Sequence, residues 1–176
     1  MELPGSDYFY ALATVAITFV GFSALLLFFR QTLGGGLTKY DAYFTLSFIQ
    51  PGFIVTGGAL LPPLLALCGF EQDVVWRLSS ALTAVMIVLF VATVPARRRA
   101  AVDEPIPVYV ATLLALQALG ALILVTNAIG QPLVPGPGLH AAAVTWILFT
   151  TAIAYLRALA ISIHRPLTRA HGSTHE

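Results

Sequence analysis

The chain has 176 residues, 58% of them hydrophobic and 10% charged, with a net charge of +1 and a mean hydropathy of +0.86. No basic face with interleaved aromatics points to nucleic acid. The single cysteine, Cys68, excludes an internal disulfide and a Cys-x-x-Cys redox centre.

Five apolar runs, at residues 8–29, 42–70, 74–96, 106–129 and 141–163, are each long enough to cross a bilayer, which takes roughly 20 apolar residues. They predict an all-α integral membrane protein in which residues 1–176 form a single domain, a bundle of five transmembrane helices followed by a polar tail over 165–176.

The first run is read as a retained span. It follows an acidic start with no Lys or Arg, exceeds the apolar core of a signal peptide, and ends at Phe28-Phe29-Arg30. Ser6 or Asp7 can cap it, and Tyr8, Phe9 and Tyr10 form an interfacial aromatic belt. Asp7, Ala11, Thr14, Thr18 and Gly21 share one face. Such a face could line a wet path, but the favoured reading makes Thr14, Thr18 and Gly21 a helix-packing surface.

The next loop holds Gly34-Gly35-Gly36, and Thr38-Lys39-Tyr40-Asp41 reads as a capping box opening span two. Span two carries Gln50-Pro51-Gly52, Thr56-Gly57-Gly58 and Pro62-Pro63. Each proline removes a backbone donor. A straight helix from residue 39 to 69 would be about 46 Å long, more than the ~30 Å of hydrocarbon. A second helix that is tilted, or kinked or broken by Pro and Gly, is therefore expected, any break falling at residues 48–52 or 59–63, and Gly69 can end it.

Span three starts at the Asp73 N-cap with Trp76 as interface anchor, and closes at Pro95 and Arg97-Arg98-Arg99. The three arginines are candidates for lipid headgroups or act as topology determinants. Span four opens on Asp103-Glu104-Pro105, with acids near the positive helix end and proline in the first turn. It aligns Gln117, Gly120 and Asn127 on one stripe. Gly120 is a packing candidate, and Gln117 and Asn127 are candidates for a polar path, because an unpaired amide in hydrocarbon costs several kcal/mol; the favoured reading of Gln117 is structural glue between helices. An uncharged, proline-rich loop at 130–138 leads to span five, which ends at His164-Arg165-Pro166. Arg157 within it is read as snorkelling to the headgroups.

Gln50, Pro51, Gly52 and Thr56 complete the polar-path candidates, since a broken helix exposes backbone groups that bind ions or solutes; the favoured reading of this segment is a prolyl kink healed by neighbouring helices. His140, His164, His171 and His175 fall at span ends or in the tail and do not pair at ligand spacing, so no metal and no cofactor are expected. No intramembrane nucleophile–base pair or metal set is visible, so the chain is not expected to be an enzyme. Five spans and this length bring to mind tryptophan-rich sensory proteins, but Pro62-Pro63 lacks their tryptophan and only Trp76 and Trp146 occur. No Thr-Val-Gly-Tyr-Gly filter is present.

Basic residues set the orientation. With five spans, Arg30, Lys39, Arg97, Arg98, Arg99, Arg165 and Arg169 fall on one side, and Arg77 alone on the other. The positive-inside rule then puts the N-terminus outside and the C-terminus in the cytoplasm, with the chain in the cell membrane. The expected function is a homo-oligomeric channel or passive transporter for an ion or small solute. The alternative is a non-transporting scaffold, sensor or accessory subunit that binds a protein partner or lipid. The expected partners are the lipid bilayer and further copies of the chain.

Overall fold

A computed structural model describes Leu3 and residues 5–32, 39–101, 105–130 and 134–170. Five helices account for nearly all of them: α1 (Ser6–Thr32), α2 (Lys39–Leu67), α3 (Gln72–Ala101), α4 (Val108–Ile129) and α5 (Pro137–Ala170). All five are long and apolar enough to cross a membrane.

Helices α2, α3, α4 and α5 close into a ring, each packing on the next and α5 returning to α2. Outside this ring, α1 lies against α2 and touches α5 lightly. Consecutive helices run in opposite directions, so one end of the bundle gathers the starts of α1, α3 and α5 with the ends of α2 and α4. Arg77 ties that end together: it bonds Asp73 at 2.7 Å and donates to the Ile129 carbonyl at 3.2 Å. A guanidinium there sits favourably at the negative end of α4. The opposite end carries Arg97, Arg98, Arg99 and Arg157.

Small residues let the backbones approach. A side chain at Gly58 would stand 2.8 Å from Thr83 Cγ2, and one at Gly120 would stand 2.8 Å from Ile147 Cγ1. Gly52 lies under Val20 in the same way, which joins α1 to α2. The core between them is aliphatic and small: Ala16, Val55, Ala59, Ile87, Leu124, Ala143, Val144 and Ile147 are fully buried or nearly so.

Helix α2 runs without interruption through Pro51, Pro62 and Pro63. The break expected at 48–52 or 59–63 is therefore not realised. The prolines and Gly52 are buried between neighbouring helices, and one orphaned carbonyl finds a donor on another helix, as described below. The end of α2 matches expectation: Gly69 takes φ +83°, its amide reaches Ala66 O at 3.0 Å, and the Phe70 amide reaches Leu65 O at 3.3 Å. This is the glycine-terminated Schellman pattern.

Several boundaries differ from the sequence reading. Helix α3 begins at Gln72, so Asp73 lies inside the first turn and pairs with Arg77 rather than capping. It continues through Pro95 to Ala101, past the expected close. Helix α4 begins at Val108 with Pro107 as N-cap, so Pro105 precedes the helix. Helix α5 passes Pro166 and reaches Ala170. Trp76 is buried rather than interfacial, and Phe9 leaves the aromatic belt for the core, because the two rings stack on each other at 5.7 Å. Thr38, Asp103, Glu104 and the tail from residue 171 lie outside the described residues.

Candidate functional site

The densest buried polar cluster lies where α1, α3 and α5 begin. The geometry of donors and acceptors orders it into one chain of hydrogen bonds. The Gly136 amide donates to Asn127 Oδ1 at 3.0 Å. Asn127 Nδ2 donates to Ser80 Oγ at 2.8 Å and reaches Gly136 O at 3.3 Å. Ser80 Oγ stands 2.9 Å from His140 Nδ1, and His140 Nε2 stands 2.9 Å from the Gly58 carbonyl. A carbonyl can only accept, so Nε2 carries the imidazole proton. Nδ1 is then the acceptor, and the Ser80 hydroxyl donates to it. Apart from the return bond from Asn127 Nδ2 to Gly136 O, the donors point one way, from the loop before α5 through α4, α3 and α5 to α2.

The location of Gly58 O explains the last link. In an uninterrupted helix this carbonyl accepts from the amide of residue 62. Residue 62 is proline and has no N–H. His140 supplies the missing donor from a different helix. Lipid provides none, so buried carbonyls freed by proline need a partner of this kind.

Rings close over the imidazole. Phe9 lies 5.7 Å and Trp76 6.2 Å from His140, centroid to centroid. Ser80, Asn127 and His140 are all completely buried. Beside them, Trp76 Nε1 and Ser79 Oγ are buried without a hydrogen-bond partner. Ser80 and His140 have the separation of a nucleophile and its base. Ser80 is completely buried, and the second imidazole nitrogen is held by a backbone carbonyl rather than a carboxylate. The chemistry open to the cluster as packed is hydrogen-bonded cross-linking of four helices.

Sequence reasoning singled out Asn127 but missed Ser80 and His140. It began span five at residue 141, which left His140 outside. The signal was present in the run Ser79-Ser80 followed by Thr83, a polar face on an otherwise apolar helix.

The other candidates are dispersed. Gln117 donates to Thr151 Oγ1 at 2.9 Å, joining α4 to α5 near mid-helix. Its Oε1 is buried without a partner. Gln50 accepts a short bond from Arg97 and so joins α2 to α3 near the arginine end. Arg97 also donates to Thr93 at 2.6 Å. Thr56 bonds back to the Gly52 carbonyl of its own helix at 2.9 Å. Pro51 is buried, and Gly52 is buried against Val20 of α1. Gln50, Gln117 and Asn127 thus occupy three separate places. Gly120 lies against Ile147 and Trp146, whose Nε1 donates to Leu116 O at 2.9 Å.

On α1 the packed face is Leu12, Ala13, Ala16, Val20 and Ser23. Thr14, Thr18 and Gly21 face outward. The two threonine hydroxyls bond the carbonyls of Tyr10 and Thr14 at 2.8 and 2.7 Å.

At the opposite end, Arg99 is exposed and Arg98 is buried. Arg98 Nη2 reaches Pro105 O at 3.4 Å, while its Nε has no partner. Arg157 lies over the Tyr109 ring, 4.4 Å from its centroid. Among the described residues, the one salt bridge is Arg77–Asp73, and no group of three or more His, Cys, Asp or Glu is placed to hold a metal ion. No protein-family model matches the chain, and no curated protein or solved structure matches it.

Proposed function

We propose that the chain is an integral protein of the cell membrane, N-terminus outside and C-terminus in the cytoplasm, that acts by association rather than conduction. It is a non-enzymatic scaffold, sensor or accessory subunit. The observation that supports this reading is the use made of its deep amides. Gln50 and Asn127 each bond α3, and Gln117 bonds α5, all within the same chain and at three separate levels. Side chains committed in this way tie helices together and do not form one wet route.

The test is reconstitution. Protein in liposomes is assayed for flux of potassium, sodium, chloride and protons, and its mass is measured in nanodiscs. The reading expects flux no greater than in empty liposomes. Reproducible flux that scales with protein would overturn it.

The second reading, a homo-oligomeric channel with its pore between copies, rests on the outward stripe of Thr14, Thr18 and Gly21. Both threonine hydroxyls are already satisfied by their own helix, so the stripe can face lipid without water. A mass of several copies together with ion flux would favour this second reading.

A further inference from the structure

Among the side chains that the structure describes, no acid is paired with an arginine at the arginine end of the bundle. Arg98 decides the matter. It is 6% exposed, its Nε has no partner, and its only hydrogen bond is a long one to the Pro105 carbonyl. A buried guanidinium without a counter-charge is costly, and such groups mark sites where an anion is bound.

The feature beside Arg98 is suited to an anion. Pro105 O belongs to the segment that enters α4. The N-cap of α4 is Pro107, which offers neither an N–H nor a side-chain cap. The Val110 and Ala111 amides both turn back to Pro107 O, at 3.0 and 3.2 Å. Val108 and Tyr109 have no earlier helical carbonyl to donate to, and no acid occupies the first turn. Val108 is 84% exposed, so the turn is open on that side. From α5, Arg157 reaches the same turn, lying over the Tyr109 ring. A free helix N-terminus flanked by two arginines from neighbouring helices combines the helix dipole, exposed amides and guanidinium donors that bind phosphate.

We propose that Arg98, Arg157 and the first turn of α4 form a binding site for a phosphate group of net negative charge, carried by an anionic phospholipid headgroup or by a small soluble phosphate. The site does not depend on whether the protein conducts ions. It also separates the three consecutive arginines. Arg98 and Arg157 bind, Arg97 is engaged by Gln50 and Thr93, and the exposed Arg99 is peripheral.

The test uses the full chain in nanodiscs. One set is made of phosphatidylcholine alone and the other of phosphatidylcholine with phosphatidylglycerol. Inorganic phosphate is titrated into the neutral set. Melting temperature and retained lipid, read by native mass spectrometry, are measured for wild type, Arg98→Gln, Arg157→Gln and Arg99→Gln. A rise in melting temperature with phosphatidylglycerol identifies a headgroup; a rise with inorganic phosphate in neutral discs identifies a soluble phosphate. Either supports the site, and no shift with both overturns it. Arg98→Gln should weaken binding roughly tenfold or more, as expected for a charge-assisted hydrogen bond, and Arg99→Gln by less than about twofold.

The sign of the stability change separates binding from a structural role. In neutral discs without added inorganic phosphate, where each lipid phosphate is balanced by its own choline, Arg98→Gln removes an uncompensated buried charge and should melt at or above wild type. With the anion present it should melt below. A variant that melts equally far below wild type in both conditions would assign Arg98 to structure and overturn the proposal. Asp103 and Glu104 precede the site in sequence, so Asp103→Asn with Glu104→Gln should tighten phosphate binding. If that double variant lowers the melting temperature in neutral discs and leaves phosphate binding no tighter, those acids are the counter-ions of Arg98 and the site is refuted.

Discussion

His140 gives the Gly58 carbonyl the hydrogen bond that Pro62 withholds. The two residues sit on different helices and meet at one oxygen: proline leaves it without the usual amide, and the imidazole Nε2 fills the place at 2.9 Å. The same ring accepts from Ser80 on α3. One side chain on α5 therefore holds α2 and α3, and Asn127 carries the tie onward to α4.

This coupling makes His140→Ala and Pro62→Ala a thermodynamic pair. His140→Ala alone leaves Gly58 O without a donor and the Ser80 hydroxyl proton without an acceptor, while Ser80 Oγ keeps the bond from Asn127. It should cost about 2–6 kcal/mol, at 1–3 kcal/mol for each unsatisfied group. Pro62→Ala restores an amide at position 62, so Gly58 O regains a donor. In that background the loss from His140→Ala should fall by about 1 kcal/mol. Reversible unfolding in detergent, followed by helical ellipticity, measures all four corners of the cycle. Strict additivity would show that the shared carbonyl does not couple the two sites.

Asn127 makes a second test of the same chain. Its amide pairs with both backbone groups of Gly136 and also donates to Ser80. Asn127→Leu has similar bulk and no polar group, so it should lower stability by about 1–2 kcal/mol. Asn127→Asp keeps the acceptor for Gly136 but supplies no donor to Ser80 and introduces a charge at a fully buried site. It should cost more than leucine at neutral pH. If aspartate is the better tolerated of the two, water reaches Asn127 and the cluster is not sealed.

Five helices of spanning length were legible in the sequence because length and apolarity are summed over twenty residues and survive local error. Gly69 as the end of α2 was legible for the same kind of reason: a left-handed position after an apolar run favours glycine. The continuity of α2 was not legible. Pro51, Pro62 and Pro63 argue for interruption when read alone, and at one of the three, Pro62, the missing amide is replaced by a donor 78 residues further on, His140. The burial of Arg98 was equally hidden, since three consecutive arginines look alike until the helix turns one of them inward. Gln50 and Gln117 were correctly marked as groups in need of partners, but pattern alone could not tell whether the partner would be water or another helix.

Gln50→Leu and Gln117→Leu decide what those partners do for the whole protein. Gln117→Leu removes one bond to Thr151 and should cost roughly 0.6 kcal/mol, the average for such contacts between membrane helices. Gln50→Leu frees Arg97 as well and should cost more. Both variants should keep wild-type behaviour in the liposome flux assay. A change in flux with the fold and mass intact would return the two glutamines to a conducting path.

The glycines give a last prediction because the same substitution meets different surroundings on α4, α2 and α1. At Gly120 a methyl group would press on Ile147, and at Gly58 on Thr83, both at 2.8 Å. The obstacle at Gly120 is a side chain packed in the core. Gly120→Ala and Gly58→Ala should therefore each destabilise by about 1–3 kcal/mol, the usual cost of overpacking. Gly58 should be the worse of the two, because a shift of α2 there also disturbs the carbonyl held by His140. Around Gly21 nothing lies within 4 Å of an added methyl group. In a single chain, Gly21→Ala should be neutral or slightly stabilising, since alanine is the better helix former by about 1 kcal/mol. Gly21→Leu should also be tolerated if α1 faces lipid. Melting temperatures in detergent and masses in nanodiscs read the three positions together. Loss of stability or of assembled mass with Gly21→Leu, in a protein that tolerates Gly21→Ala, would mean that another helix packs against α1 at Thr14, Thr18 and Gly21, and that the exposed face of the single chain is an interface between copies.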